Sequence, residues 1–315
     1  MRFAFLGSPP FAVASFHAVL EAGLEVAGLV TAPPRKAGRG RKEVPNPLAD
    51  AAVAVGIPVL RPESARDADF KEALRQWEVD LGVVVSYGQL LDEEVLAIPR
   101  LGCVNLHASL LPRWRGASPV QAAILAGDTE TGVCLQKMVL ALDAGAVLAE
   151  MRLPLDGREV APVLFDTLAR EGATFLVQTL QSFDQADALP KGIEQDEAAV
   201  TLCRKIKKED GVLDWSSTAE TIDRRVRAMA GWPCGQTWLP DGSGLRVHAG
   251  RVIQATAHAT PGTVVSLEDG LTIACGENAY RITSLQKEGK ARLEATAFLA
   301  GARLEVGQSM SEGSA

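Results

Sequence analysis

Short apolar runs that close on a turn and give way to helix-patterned stretches recur through the first half of this 315-residue chain. No other feature restricts its fold as strongly. Phe3, Ala4, Phe5 and Leu6 form one such run, ended by Gly7, and Ser8-Pro9 then suits a helix cap and a first helical residue. The pattern returns as a strand over 26–30, a helix from about Asn46-Pro47, a strand near Val59, a helix over 67–77 and a strand over 81–85. Alternation of this kind predicts an α/β fold, a Rossmann-like, doubly wound and mostly parallel sheet. Ligands of such sheets bind at the carboxyl ends of the strands, where the loops supply chemistry. The first strand-to-helix turn, Gly7-Ser8-Pro9-Pro10, lacks a Gly-x-Gly-x-x-Gly fingerprint, which disfavours a dinucleotide site.

Two further strands are expected over 131–138 and 146–155, with Asp143 in the loop between them, and a helix over 161–183. Residues 184–203 are polar, contain Pro190 and Gly192 and lack periodicity, so they read as a linker between a domain over 1–183 and a second over 204–310. In the second, short β-like runs over 244–248, 262–267, 271–275 and 279–285 and one helix over 217–230 predict a small β-barrel of OB-like type. Gly, Pro or charge interrupts every apolar stretch before membrane-spanning length, and a cytoplasmic protein is expected. Five scattered cysteines without a Cys-x-x-Cys pair suggest free thiols and no metal site.

The densest polar constellation is Asn105-Leu106-His107-Ala108-Ser109-Leu110-Leu111-Pro112-Arg113-Trp114-Arg115-Gly116. In an extended segment, Asn105 and His107 share a face, so an amide donor and an imidazole converge on one atom. That arrangement suits acyl transfer, where charge develops on a carbonyl oxygen and one fixed donor is typically worth ~3 kcal/mol. Asp143 either orients His107 or takes the proton from an attacking amine. Alone, Asn-x-His is weak; its position after a strand, beside Ser109 to Pro112 and a separate loop aspartate, gives it weight.

These residues resemble the signature of the 10-formyltetrahydrofolate-dependent formyltransferase family, and within it the members that formylate methionyl-tRNA. The likeness extends to Ala126-Gly127-Asp128 with Thr131-Gly132-Val133, to Leu213-Asp214-Trp215 and to Pro261-Gly262-Thr263. It implies catalytic roles for Asn105, His107 and Asp143, and folate contacts at Ser109, Leu110, Leu111 and Pro112. Tyr87, Gly88 and Gln89 resemble the segment that flanks the pterin. The implied reaction moves a formyl group from 10-formyltetrahydrofolate, as cosubstrate, to the α-amino group of methionine on initiator tRNA, without metal or ATP. Two departures stand out: Gly7-Ser8-Pro9-Pro10 at the opening, and Ala144-Gly145-Ala146, which lacks a carboxylate at 146.

The charge distribution fits such an acceptor although the net charge is −7. Residues 35–42 hold five cations, Arg35, Lys36, Arg39, Arg41 and Lys42, among two glycines. The stretch resembles the loop that inserts at the tRNA acceptor end, with Arg39 the leading contact. Residues 204–305 carry 14 basic and 12 acidic side chains, against 18 and 26 over 1–203. Lys205, Lys207 and Lys208, beside Arg204, extend the expected tRNA surface, as do Arg224, Arg225 and Arg227. A formyltransferase acting on a sugar nucleotide or purine precursor would need neither the basic loop nor the second domain. A folate-sensing or RNA-binding module would not need the catalytic three. Nothing in the sequence calls for a dimer, and a monomer is expected.

Overall fold

The computed structural model describes residues 1–310 except 35, 38–41, 184–185 and 255–258; at 36–37 and 42–43 it describes backbone alone. The chain folds into two compact units, one of Met1–Pro119, Glu130–Pro154 and Phe165–Cys203, the other of Val120–Thr129, Leu155–Leu164 and Arg204–Ala315.

The first unit is built on seven strands: β1 (Arg2–Gly7), β2 (Glu25–Val30), β3 (Val59–Leu60), β4 (Leu81–Val85), β5 (Cys103–His107), β6 (Glu130–Lys137) and β7 (Val147–Pro154). Their order is β7-β6-β5-β4-β1-β2-β3. Pairing is parallel from β3 to β5, and β6 and β7 add on antiparallel. Helices α1 (Phe11–Glu21), α2 (Pro47–Ala54), α3 (Ala68–Gln76), α4 (Glu93–Ala97), α5 (Pro119–Ala126) and α6 (Ala161–Ser182) lie between or after these strands in the chain, with α5 beyond Pro119 and the first turn of α6 counted in the second unit. Alternate residues of β1 sort the two faces. Ala4 and Leu6 bury with Phe70 and Leu74 of α3 and Val95 of α4, whereas Phe5 meets Phe16 of α1 edge-on, ring centroids 5.1 Å apart. Burial on both faces explains why β1 and β4 are nearly continuous apolar runs.

Helix α2 begins as the sequence indicates. Asn46 caps it by accepting from the Ala49 N–H, and Pro47 stands at the first helical position. The Ser8-Pro9 expectation is corrected: α1 starts at Phe11 with Pro10 at its cap and no side-chain capping bond. A residue preceding proline avoids helical backbone angles, so Ser8 and Pro9 both lie outside the helix. The Ser8 hydroxyl instead donates to the Tyr87 carbonyl at 3.1 Å.

The second unit is an antiparallel sheet of β8 (Gly235–Trp238), β9 (Gly244–Ile253), β10 (Val264–Ser266), β11 (Leu271–Ala274), β12 (Ala279–Lys287) and β13 (Leu293–Glu294), with helices α7 (Ala219–Ala228) and α8 (Ala295–Leu299). The order is β8-β9-β12-β11-β10, with β13 also on β12. Register shifts at Val247/Ala249 and Ala249/Gly250 bend β9 against β12. At that bend Tyr280 lies over Gly250, where a Cβ would come within 2.5 Å of its ring. Among the described residues the two ends of the sheet do not pair, so the barrel expected from the sequence is a curled, open half-barrel. Ile222 and Val226 of α7 close its core with Val247, Ile273, Tyr280 and Ile282. Trp215 lies in the same core and donates its ring N–H to Thr237 at 3.0 Å.

Candidate active site

Strand order reverses between β1 and β4, and the carboxyl ends of these strands meet where Gly7 pairs with Val85. Such a reversal opens a crevice in a doubly wound sheet. Strand β5 follows β4 directly, with Asn105 in register with Val84 on one side and Gln136 on the other. The strand extends through His107, so Asn105 and His107 belong to it and, two apart, project from one face. Asn105 is half-buried and His107 buried. Three of the seven non-glycine residues with positive φ among the described residues lie in the loops after β4, β5 and β6: Ser86, Trp114 and Asp143, at 53°, 62° and 50°. Unfavourable backbone of this kind persists only where surrounding contacts impose it.

The loops bring Asp143 to His107. Nδ1 of the imidazole lies 3.7 Å from Asp143 Oδ2, and both side chains are about nine-tenths buried. The other ring nitrogen, Nε2, is 2.9 Å from the Trp114 carbonyl oxygen. A carbonyl can only accept, so Nε2 carries the hydrogen and Nδ1 is the ring nitrogen that faces Asp143. The carboxylate is held at both oxygens. Gly116 N–H donates to Oδ2 at 2.9 Å, and Gln136 Nε2 donates to Oδ1 at 3.0 Å.

Backbone close to these groups has no room for side chains. A Cβ on Gly145 would stand 1.7 Å from the Lys137 carbonyl oxygen, and one on Gly116, whose φ is 122°, 2.0 Å from that of Cys203. Residues 202–203 pair with 115–116 as a short parallel ladder, and Ile193 bridges Val147. The 193–203 stretch is thus hydrogen-bonded to the loops that hold the site.

Two glutamines that sequence reasoning did not single out complete the arrangement. Gln136 is buried on β6, and its Oε1 has no hydrogen-bond partner. Gln195 donates from Nε2 to the carbonyls of Asp143 and Gly145, each at 2.8 Å, and accepts from Arg115 Nε at 2.9 Å. Arg115 is buried and forms an ion pair with Glu197 at 2.7 Å. Gln136 stands opposite Asn105 only through the register of β5 and β6, which the sequence does not display. No sequence signal existed for Gln195, 52 residues from Asp143.

The expected ligand contacts fall beside this centre. Ser109 is fully buried and its hydroxyl donates to the Arg113 carbonyl at 2.6 Å. Leu110 and Leu111 pack on Cys134 and Val147, and the Pro112 carbonyl accepts from Thr201 N–H. After β4, Tyr87 is buried and its hydroxyl, without a partner, is pushed up to about 12 by desolvation. Gly88 turns the chain at φ 82°, and the Gln89 amide is engaged with Pro62 and Ala65.

Arg35, Arg39 and Arg41, and the side chains of Lys36 and Lys42, lie outside the described residues; the backbone of 36–37 pairs with that of 42–43. Lys205, Lys207 and Lys208 are exposed. The α7 arginines are engaged with backbone: Arg224 donates to the Ala126 carbonyl, Arg225 to those of Asp210 and Val212, and Arg227 to that of Glu159.

The Rossmann-type sheet thus carries an amide and an imidazole on its fifth strand and receives a carboxylate from the loop after its sixth, a set of groups suited to acyl transfer. Residues 1–180 match the Formyl transferase family and residues 205–303 the Formyl transferase, C-terminal domain. The methionyl-tRNA formyltransferase of Methylococcus capsulatus is 43% identical over 299 residues, covering 95% of this chain and 96% of its own. That of Stenotrophomonas maltophilia is 44% identical over 98% of this chain and 100% of its own. The chain belongs to the formyl transferase family, in its methionyl-tRNA formyltransferase group. A similar fold occurs in HypX from Aquifex aeolicus, solved in complex with tetrahydrofolic acid: TM-score 0.62, 19% identity, 96% of this chain and 47% of that one.

Proposed function

We propose that this enzyme transfers the formyl group of 10-formyltetrahydrofolate to the α-amino group of methionine on initiator tRNA, for translation initiation. The observation that carries the reading is the His107–Asp143 pair, its imidazole anchored at Nε2 and facing the carboxylate at Nδ1. Asn105 donates to the formyl oxygen as negative charge develops there. Asp143 and His107 receive the proton that leaves the amine and return it to the departing folate nitrogen. One C–N bond forms, one breaks, and one proton changes nitrogen. The half-buried Asn105 amide suits a polar acceptor such as the formyl oxygen.

In this reading Ser109, Leu110, Leu111 and Pro112 with Tyr87, Gly88 and Gln89 line the folate, largely through backbone atoms. The cations Arg35, Lys36, Arg39, Arg41 and Lys42 engage the tRNA acceptor end, and Lys205, Lys207 and Lys208 its body. Residues 1–183 form the catalytic domain, 184–203 the connection and 204–310 the tRNA-binding domain. Among the described residues no helix is long and apolar enough to cross a membrane; the enzyme works as a cytoplasmic monomer.

The test offers 10-formyltetrahydrofolate with either charged initiator tRNA or small primary amines, at rising salt. Formylation of Met-tRNA is expected, weakening at higher salt and more sharply affected than folate binding by Arg39→Ala. Equal use of free methionine, or a salt-independent affinity for tRNA, would remove the acceptor assignment.

A further inference from the structure

The loop that carries Asp143 has little apolar anchoring. Val139, Leu140 and Leu142 are 44, 63 and 61% exposed, and Asp143 itself sits at φ 50°, a backbone region that side-chain-bearing residues occupy only under constraint. Yet its carboxylate stands at a fixed distance from His107. Polar contacts must supply that constraint, and two glutamines provide three of them beside the Gly116 N–H. Gln136, fixed in β6, holds Oδ1 from the sheet side. Gln195 holds the loop's main chain by donating to the carbonyls on both sides of Ala144. The orientation of the Gln195 amide is set because its oxygen faces Arg115 Nε, leaving only its nitrogen for the loop. Arg115 is in turn fastened to Glu197, so the 193–203 stretch braces the catalytic aspartate.

We propose that Gln136 and Gln195 are positioning residues for Asp143, the first fixing its carboxylate and the second its strained backbone. The inference rests on the formyl-transfer reading for its kinetic readout but has an independent structural one. The isosteric Gln195→Glu keeps an acceptor for Arg115 and removes both donors; Gln136→Leu removes the donor to Oδ1. Each variant is expected to lower kcat for Met-tRNA formylation by roughly 10- to 100-fold, with KM for 10-formyltetrahydrofolate within about three-fold. Placed on Asp143→Asn, either substitution costs nothing more, since a residue acting through Asp143 has no effect once the carboxylate is gone. Amide hydrogen exchange over 139–146 accelerates in Gln195→Glu. Should that variant fail to fold, Gln195→Ala is read by the same measurements.

Unchanged kcat, a loss that persists in full on Asp143→Asn, or unaltered exchange over 139–146 in Gln195→Glu would each overturn the proposal. An inactive wild-type enzyme whose 139–146 exchange still responds to Gln195→Glu would refute formyl transfer and leave the brace standing.

Discussion

Burial fixes the chemistry of individual thiols in this protein. Cys103, Cys134 and Cys275 are buried, and desolvation pushes each thiol up to about 12. The thiolate is the reactive species, so a raised value means less of it at any working pH; at pH 8 only ~1 in 10,000 of these groups is ionised. In native protein at pH 8, iodoacetamide followed by mass spectrometry is therefore expected to modify these three far more slowly than in the denatured chain. Labelling of Cys103 at the denatured rate would contradict the burial described. The scatter of the five cysteines in the sequence had suggested free thiols. The sequence also pointed to Asn105, His107 and Asp143, because strand periodicity and a loop position are visible in one dimension. Gln136 and Gln195 were not, since a glutamine becomes functional only through register and through contacts between distant segments.

Glycines decide how closely the elements around the site approach. Gly116 presents its N–H to Asp143 and lies against Cys203 with no space for a Cβ. Gly116→Ala thus combines a clash with backbone strain of about 1–3 kcal/mol, expected to lower Tm by several degrees and to cut formyl transfer by displacing the donor to Oδ2. Calorimetry beside an activity assay checks both; a Tm within one degree of wild type would show that the 115–116 and 202–203 ladder is dispensable. Long, doubly buried strands such as β1 and β4 were legible as apolar runs, and α2 through its Asn46-Pro47 cap. The helix start misplaced at Ser8-Pro9 shows the limit: two successive prolines restrict the residues before them and delay the helix to Phe11. Strands β8 and β13 are two to four residues long, too short for a period to register.

At the scale of the whole chain, the change of texture near residue 204 marks the passage from a parallel to an antiparallel sheet. Residues 193–203, which the sequence offered as part of a linker, are hydrogen-bonded to the first unit, 202–203 against 115–116 and Ile193 against Val147. Polar, aperiodic residues look alike whether they are solvated or bonded to a distant backbone, so this was not readable in advance. The measurement that bears most directly on the account is single-turnover formylation of Met-tRNA by the full chain and by folded Asn105→Ala, His107→Ala and Asp143→Asn variants. Loss of one oxyanion donor should slow Asn105→Ala by about 100- to 1,000-fold, and His107→Ala and Asp143→Asn should fall at least as far while tetrahydrofolate binding persists. A folded His107→Ala enzyme that turns over at close to the wild-type rate would contradict the account.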